Sequence, residues 1–402
     1  MATPATPPHP PLYAEAGRTG LVIPLAALRE RLGGEAPLRK VLAALTVTER
    51  AHPGRPRGMA RATRRAYELS RAAGAERLTV PRAKGPALLR ARARAGGPLL
   101  DGVRAGADAL PPPRRLAAER CAPSAPLYAY QEAAVAHLCG AGGPLGEAAV
   151  AAHRGVAYLR MDTGLGKSRV GLAVIARRRE PALVVVPTAA IGSQWVDEAA
   201  DLYPGLRVAC FRNPPKGSRR APPGPHSHDV VVVIVNTFRD KTPDFMEGFG
   251  TVVLDEAHEY HSPHNSRALW LSQTRAVLGL SATPEERLDG LDRYVHLHLG
   301  PPLGPGDLPG FDARAVGFRG EVRVLEYAGH PDHCETVATP AGTMSAVLTI
   351  GGVARDEARL RLVAAEGERL YRLHETAPPA ELARLGLGPR PAAAATPAHP
   401  AG

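Results

Sequence analysis

Gly155-Val156-Ala157-Tyr158-Leu159-Arg160-Met161-Asp162-Thr163-Gly164-Leu165-Gly166-Lys167-Ser168 is the stretch on which the fold class turns. Gly155 to Leu159 is a short apolar run that reads as a strand. Arg169 to Arg178 reads as a helix, and a glycine-bearing loop joins the two. Glycines in such a loop let backbone N–H groups converge on an anion, and the helix N-terminus adds a favourable dipole. Lys167 is placed to reach the outer phosphates of a nucleotide, and the Ser168 hydroxyl to ligate Mg²⁺. Met161 stands where the general formula has its first glycine, so the strict pattern is not met.

The pattern of short, wholly apolar runs continues at Ala182 to Val186, Val230 to Val235, Thr251 to Leu254 and Ala276 to Leu280. Runs that are apolar at every position suit strands buried on both faces, as in a parallel sheet covered by helices. The expected fold is therefore α/β, a doubly wound parallel sheet whose ligands sit at the carboxyl ends of its strands. Each chemical motif follows one of these runs. Behind Thr251 to Leu254 comes Asp255-Glu256-Ala257-His258, in which one carboxylate holds Mg²⁺ and the next polarises an attacking water. Behind Ala276 to Leu280 comes Ser281-Ala282-Thr283-Pro284, whose hydroxyls are placed to bond the Asp-Glu-Ala-His segment and report nucleotide state. Upstream, Tyr130-Gln131 lies on an expected helix, and the Gln131 amide can both donate to and accept from an adenine edge. The sequence His258-Glu259-Tyr260-His261 does not make a zinc protease signature, which needs histidines four apart on one helical face.

The charge is uneven. Residues 1–125 carry 22 Lys and Arg against 9 Asp and Glu, while the remaining 277 carry 28 against 30. A basic N-terminal third is suited to neutralising phosphates and releasing counterions, although arginine-rich helix faces are also merely solvated. Four cysteines lie far apart with no paired spacing, which suggests neither a zinc site nor a disulfide framework. No apolar run is long enough to cross a membrane and the first residues have no signal-peptide pattern, so the chain is expected to be soluble, intracellular (cytoplasm, nucleus or virion) and not secreted. The 42 glycines and 41 prolines imply much loop or tail. The expected organisation is a disordered tail over 1–17, a basic N-terminal region over 18–115, a nucleotide-binding domain over 126–301, a further segment over 302–375 and a Pro/Ala-rich tail over 376–402. Within the N-terminal region, Leu21 to Leu45 reads as a strand and a helix, and Arg61 to Ala73 as a basic amphipathic helix. Pro111 to Pro113 reads as a linker.

Taken in order, Tyr130-Gln131, Thr163-Gly164-Leu165-Gly166-Lys167-Ser168, Val186-Pro187-Thr188, Asp255-Glu256-Ala257-His258 and Ser281-Ala282-Thr283 resemble the first-domain motif series of DEAH-type superfamily 2 helicases. Val184 to Pro187 with Ser193-Gln194-Trp195 is similar to motif Ia of the DNA-translocating branches, and Asn236-Thr237-Phe238 to a segment that touches a strand's backbone. Leu45-Thr46-Val47, Val80-Pro81-Arg82, Asp289-Gly290 and Leu299-Gly300-Pro301 echo helicases of large nucleocytoplasmic DNA viruses. The resemblance implies a RecA-like P-loop fold and ATP with Mg²⁺ as cofactors. It implies Lys167, Asp255 and Glu256 as catalytic residues, and Gln131, Thr163, Gly164, Leu165, Gly166, Lys167 and Ser168 as ATP contacts. Ser168 and Asp255 would hold Mg²⁺, while His258, Ser281 and Thr283 couple the site to strand movement. Pro187, Thr188 and Thr237 would lie at nucleic-acid phosphates, DNA more than RNA. Val322 to Gly329 and the helix Ala354 to His374 resemble the entry into a second RecA-like lobe that looks truncated, which would leave hydrolysis slow and the missing half on a separate chain. The two functional readings are an ATP-dependent helicase or translocase half and a non-catalytic ATP- or nucleic-acid-binding remnant.

Overall fold

The computed structural model describes residues 11–50, 61–72, 74–94, 96–106, 109–212, 221–272, 274–284, 287–311, 327, 329, 333, 350 and 353–376. The chain divides into two compact units, one of residues 1–55 and 59–313 and the other of residues 56–58 and 314–402.

The first unit begins with β1 (Tyr13–Ala16), β2 (Leu21–Pro24), α1 (Leu25–Leu32), α2 (Glu35–Ala44), β3 (Thr46–Thr48), β4 (Thr63–Arg65), β5 (Glu68–Ala72), β6 (Ala75–Val80), α3 (Gly85–Arg90) and β7 (Gly102–Ala105). Five of these strands form a sheet in the order β5-β6-β2-β1-β7, and β3 pairs with β4 in a separate hairpin. Three expectations are corrected here. Residues 13–16, assigned above to a disordered tail, are a strand that runs antiparallel to β2 and parallel to β7. Arg61 to Ala73 is not a helix: its described residues supply β4 and β5, and β5 folds back on β6 beside Gly74, whose φ of +78° suits a tight turn. Pairing of β4 with β3 and of β5 with β6 here overrides the helical propensity of an Ala- and Arg-rich run. The expected single helix up to Leu45 is two, separated by Gly33 and Gly34 at φ +86° and +119°.

The unit continues with α4 (Ala129–Cys139), α5 (Glu147–Ala151), β8 (Val156–Arg160), α6 (Lys167–Arg178), β9 (Ala182–Val186), α7 (Ala189–Leu202), β10 (Val208–Cys210), β11 (Val230–Ile234), α8 (Val235–Phe238), β12 (Thr251–Leu254), α9 (Ser266–Leu271), β13 (Ala276–Ser281), α10 (Asp292–Leu299) and β14 (Pro302–Leu303). Seven strands form one sheet in the order β10-β11-β9-β12-β13-β8-β14, with parallel pairing throughout. This is the doubly wound, parallel α/β arrangement expected from the apolar runs. The central strands β9, β12 and β13 are buried at every position, which is why their sequences show no polar alternation. The sheet does not close at Pro301: Pro302 and Leu303 pair with Tyr158 and Leu159 as a seventh strand, which moves the expected domain boundary outward.

The two sheets share one apolar cluster that runs from Leu21, Leu78 and Val80 to Val277, Val295 and Leu299. Arg82, buried beside it, donates to the carbonyls of Gly17 (3.0 Å) and Thr274 and so stitches the N-terminal sheet to the segment before β13. The Pro111–Pro113 linker is anchored just beyond its end. Asp229, wholly buried, accepts from Arg114 Nη2 (2.7 Å), Arg120 Nη1 (2.7 Å), Arg207 Nη2 (3.3 Å) and the Arg207 N–H (3.0 Å). Burial pushes this carboxyl up, but the four hydrogen bonds outweigh it and hold the group well below the usual carboxylate range.

In the second unit, Asp356 caps the helix Glu357–Thr376 by accepting the Arg359 N–H at 3.1 Å, and the Tyr327 hydroxyl donates to the same carboxylate at 2.9 Å. This helix overlaps the expected Ala354 to His374, starting three residues later and ending two residues later. Of the expected entry Val322 to Gly329 the described residues are Tyr327 and Gly329, and the Pro/Ala-rich tail beyond Thr376 lies outside the described residues. Among the described residues no helix is long and apolar enough to cross a membrane.

Candidate functional site

The loop between β8 and α6 is clamped from two sides. Gly164 and Gly166 have φ of +86° and +77°, a left-handed backbone that glycine adopts without strain. The Leu165 carbonyl accepts from the Tyr130 hydroxyl (3.1 Å) and from Gln131 Nε2 (3.0 Å), while Gln131 Oε1 accepts the Tyr128 N–H at 3.1 Å. A Cβ on Gly166 would come within 2.5 Å of Gln131 Nε2, so the loop and the amide are fitted to one another. Met161 is wholly buried, and its N–H donates to the Ser281 carbonyl at 3.0 Å. The side chain at the position of the missing glycine is therefore packed into the core.

β12 delivers the two acids. The Asp255 N–H extends the ladder to β9 by donating to the Val185 carbonyl at 2.9 Å. Its carboxylate is buried, with Oδ2 accepting from Trp195 Nε1 (2.7 Å) and Oδ1 from the Glu256 N–H (2.9 Å). Glu256 has φ +46° and ψ +49°, a left-handed conformation that costs a non-glycine residue about 1–2 kcal/mol. Glu256 Oε1 lies 3.9 Å from Lys167 Nζ, and Oε2 lies 3.3 Å from His258 Nδ1.

The adjacent acids are in opposite electrostatic regimes. Burial raises the Asp255 carboxyl despite the hydrogen bond from Trp195, and the neighbouring Glu256 charge adds to the rise. The hydrogen bond from His258 and the nearby Lys167 charge hold Glu256 below its ordinary value, against its own desolvation. His258 Nδ1 is also 3.0 Å from Ser281 Oγ, which accepts the Thr283 N–H at 3.1 Å. A continuous polar chain thus runs from Lys167 through Glu256 and His258 to Ser281 and Thr283.

Gly164, Gly166, Lys167, Ser168, Asp255 and Glu256 line one cleft of about 620 Å³, with Trp195 and Arg169 beside them. A serine hydroxyl and a carboxylate on that cleft are hard oxygen donors suited to Mg²⁺. Thr163 is exposed at the start of the loop. The expected strand contacts sit apart from the cleft, on the carboxyl edge of the sheet. Val186 and Ile234 are register partners on β9 and β11, so Pro187 and Thr188 emerge beside the turn that carries Thr237. Thr188 also caps α7 by accepting the Ile191 N–H at 3.4 Å.

Sequence reasoning missed three features. The hydrogen bond from Trp195 to Asp255 joins residues sixty positions apart, and the one local hint is Gly171, where a Cβ would meet Trp195 Cη2 at 2.6 Å. Tyr130 was read only with its neighbour, yet its hydroxyl shares the clamp on Leu165. The N-terminal hairpin reaches the region after β13, where the Arg50 N–H donates to the Asp289 carbonyl at 2.8 Å.

Residues 124–286 match the family described as type III restriction enzyme, res subunit. The protein named "Putative ATP-dependent RNA helicase QP509L" of African swine fever virus is 43% identical over 224 residues, covering 55% of this chain and 42% of its own length. The "Putative helicase 109L" of Invertebrate iridescent virus 3 is 27% identical over 143 residues, covering 35% of this chain and 43% of its own. The chain thus spans about two fifths of the length of these relatives. Among solved structures, the UvsW helicase from bacteriophage T4 aligns at 20% identity over 45% of this chain and 61% of that one, with a TM-score of 0.33. The chain resembles superfamily 2 helicases, including those of large DNA viruses, over the segment that carries its P-loop and Asp-Glu-Ala-His motifs.

Proposed function

We propose that this chain binds ATP with Mg²⁺ in the cleft between residues 163–168 and Asp255-Glu256, hydrolyses it, and couples the reaction to a nucleic-acid strand, DNA in preference to RNA. It would act as the ATP-binding half of a helicase or translocase. The observation that carries this reading is the 3.9 Å approach of Lys167 Nζ to Glu256 Oε1 on the cleft that also holds Ser168 and Asp255. A terminal phosphate entering the cleft would displace that carboxylate from the ammonium and take its place.

In this reading, the backbone N–H groups of residues 163–168 and the first turn of α6 receive the phosphates. Lys167 leaves Glu256 and neutralises the outer phosphate oxygens. Ser168 and Asp255 hold Mg²⁺, which supplies charge neutralisation at the phosphates when bound. Glu256, freed from the lysine but still bonded to His258, orients a water in line with the scissile bond. The change at Glu256 is passed by His258 to Ser281 and Thr283, and so to the end of β13. Pro187, Thr188 and Thr237 take the strand's phosphates along the carboxyl edge, with the basic N-terminal residues adding sequence-independent affinity. Among the described residues that line the cleft the cations are Lys167 and Arg169, and Arg169 is paired with Glu198 at 3.3 Å. An arginine from a second RecA-like lobe, on this or another chain, would complete the charge stabilisation, and such a group is worth about 10³ to 10⁵ in rate.

The test is nucleotide binding by Lys167→Ala. A fluorescent ATP analogue with Mg²⁺ should bind the wild-type protein and fail to bind the variant, while the variant keeps its thermal unfolding profile. Equal binding to both would overturn the P-loop reading. Turnover measured with single-stranded DNA and with RNA then decides the strand preference.

A further inference from the structure

We propose that Trp195 is a positioning residue for the Mg²⁺-holding carboxylate, and that its indole N–H fixes Asp255 in the orientation that metal binding needs. The inference rests on the nucleotide reading above and deepens it. Asp255 has both oxygens engaged, Oδ2 by Trp195 Nε1 at 2.7 Å and Oδ1 by the Glu256 N–H at 2.9 Å. The two bonds set both the χ rotation of the carboxylate and the plane of its oxygens, and each oxygen keeps a lone pair for the cleft. The donor itself is rigidly held. Trp195 is 1% exposed, and its ring lies over Gly171 of α6, so closely that a Cβ there would be 2.6 Å from Cη2.

One indole therefore touches the helix that begins with Lys167 and Ser168 and also bonds the acid that faces them. It fixes the distance between the two halves of the metal site. Trp195 lies on α7, two turns beyond Thr188, which caps that helix at its exposed start. A shift of α7 under a bound strand would thus move the Asp255 carboxylate directly, by a route separate from the His258–Ser281 chain.

Hydrogen bonds to charged groups contribute enough that losing one weakens a dependent equilibrium by roughly ten- to a hundred-fold. The experiment compares wild type with Trp195→Phe, which keeps an aromatic ring but has no donor. ATP affinity is measured by titration with Mg²⁺ and with EDTA. The wild-type protein should gain affinity with Mg²⁺, and Trp195→Phe should lose roughly ten-fold or more of that gain while its Mg²⁺-free affinity stays within about two-fold. A uniform loss in both conditions would show that the ring merely fills space and would overturn the proposal, as would a full Mg²⁺ gain in the variant. A wild-type protein that binds no ATP would instead overturn the nucleotide reading. A second measurement avoids the buried substitution. The chain has two tryptophans, so the Trp270→Phe protein has Trp195 as its sole indole, and its emission should change when Mg²⁺ is added to the ATP complex. Unchanged emission at saturating Mg²⁺ counts against the assignment.

Discussion

Gly166→Ala tests whether the glycine loop before α6 and the Gln131 amide are built as one unit. Gly166 sits at φ +77° and ψ +48°, so any residue with a Cβ pays about 1–2 kcal/mol for the left-handed backbone. The same Cβ would lie 2.5 Å from Gln131 Nε2, and relief requires moving a side chain that is 1% exposed. That amide holds the Leu165 carbonyl and the Tyr128 N–H, and each bond contributes about 0.5–1.5 kcal/mol. The expected loss for Gly166→Ala is therefore about 2–5 kcal/mol. Gly164 is the control: its φ is +86°, but nothing lies within 4 Å of a Cβ there, so Gly164→Ala should cost only the backbone strain, about 1–2 kcal/mol. Urea unfolding of the two variants and of Gly166→Ala/Gln131→Ala measures these quantities. The double variant should be more stable than the sum of its single changes by about 1–3 kcal/mol, because the clash is gone and the two amide bonds are lost only once. Additivity within about 0.5 kcal/mol, or equal losses for the two glycines, would refute the reasoning.

Asp229→Asn should destabilise by about 2–3 kcal/mol at neutral pH, since the arginines around the buried carboxylate are themselves partly solvated. The folded-state carboxyl lies below its unfolded value of about 3.9, so the stabilisation is fully present above pH 4 to 5 and lost as pH falls through the depressed folded value. The gap between wild type and variant in urea unfolding should be flat from about pH 5 to 8 and narrow below about pH 4; a gap that widens on acidification contradicts the sign. His258→Ala and Ser281→Ala should leave nucleotide affinity within about two-fold yet reduce strand-stimulated ATP turnover by about ten-fold or more, because they cut the chain from Glu256 to β13. Arg61→Ala/Arg65→Ala on the exposed hairpin should reduce the slope of log K against log[salt] for duplex DNA by up to about 1.8, and an unchanged slope would place the electrostatic contacts elsewhere. Substitutions suit this last test better than deletion of residues 1–115, which would strip the apolar cluster that both sheets share.

What could be read in advance follows from where the information lies along the chain. β12 is Thr251-Val252-Val253-Leu254, apolar or small throughout because both its faces are covered, and the acids follow it directly, so strand and motif were both legible. The same holds for β9 and β13. β1 was not legible: its four residues adjoin a proline-rich stretch, and one of its two neighbours in the sheet is β7, eighty-nine positions away. β5 was misread because all five of its residues are exposed, which leaves no alternation to distinguish a strand from a solvated helix. β14 is two residues long and begins with proline, acceptable only because it lies at the sheet's edge. In the site, contacts within one motif or between neighbouring motifs could be anticipated, as with His258 and Ser281. The indole bond to Asp255 could not, since nothing local to either residue requires it.

The Asp-Glu pair shows why four consecutive letters are not a complete site. On a regular strand, adjacent side chains point to opposite faces, so Asp255 and Glu256 would diverge if β12 simply continued. The left-handed turn at Glu256 breaks the alternation and brings its carboxylate to Lys167, while its own N–H bonds back to Asp255 Oδ1. The strain is held by its surroundings: the Glu259 N–H donates to the Glu256 carbonyl at 2.9 Å, and His258 grips the side chain. Both grips depend on the five-residue 3-10 turn Ala257–His261, whose Tyr260 hydroxyl donates to the Val185 carbonyl at 3.2 Å. Tyr260 is wholly within the core, and burial raises its hydroxyl well above its ordinary value, which favours the neutral form that donates this bond. The carbonyl of Val185 thus anchors both the Asp255 N–H and Tyr260, which makes β9 the fixed reference for the turn that carries the two acids. β9 is also the strand that leads into Pro187 and Thr188, the expected strand contacts. A displacement of that strand's end under a bound nucleic acid would therefore reach both acids through backbone hydrogen bonds, with no rearrangement of the core.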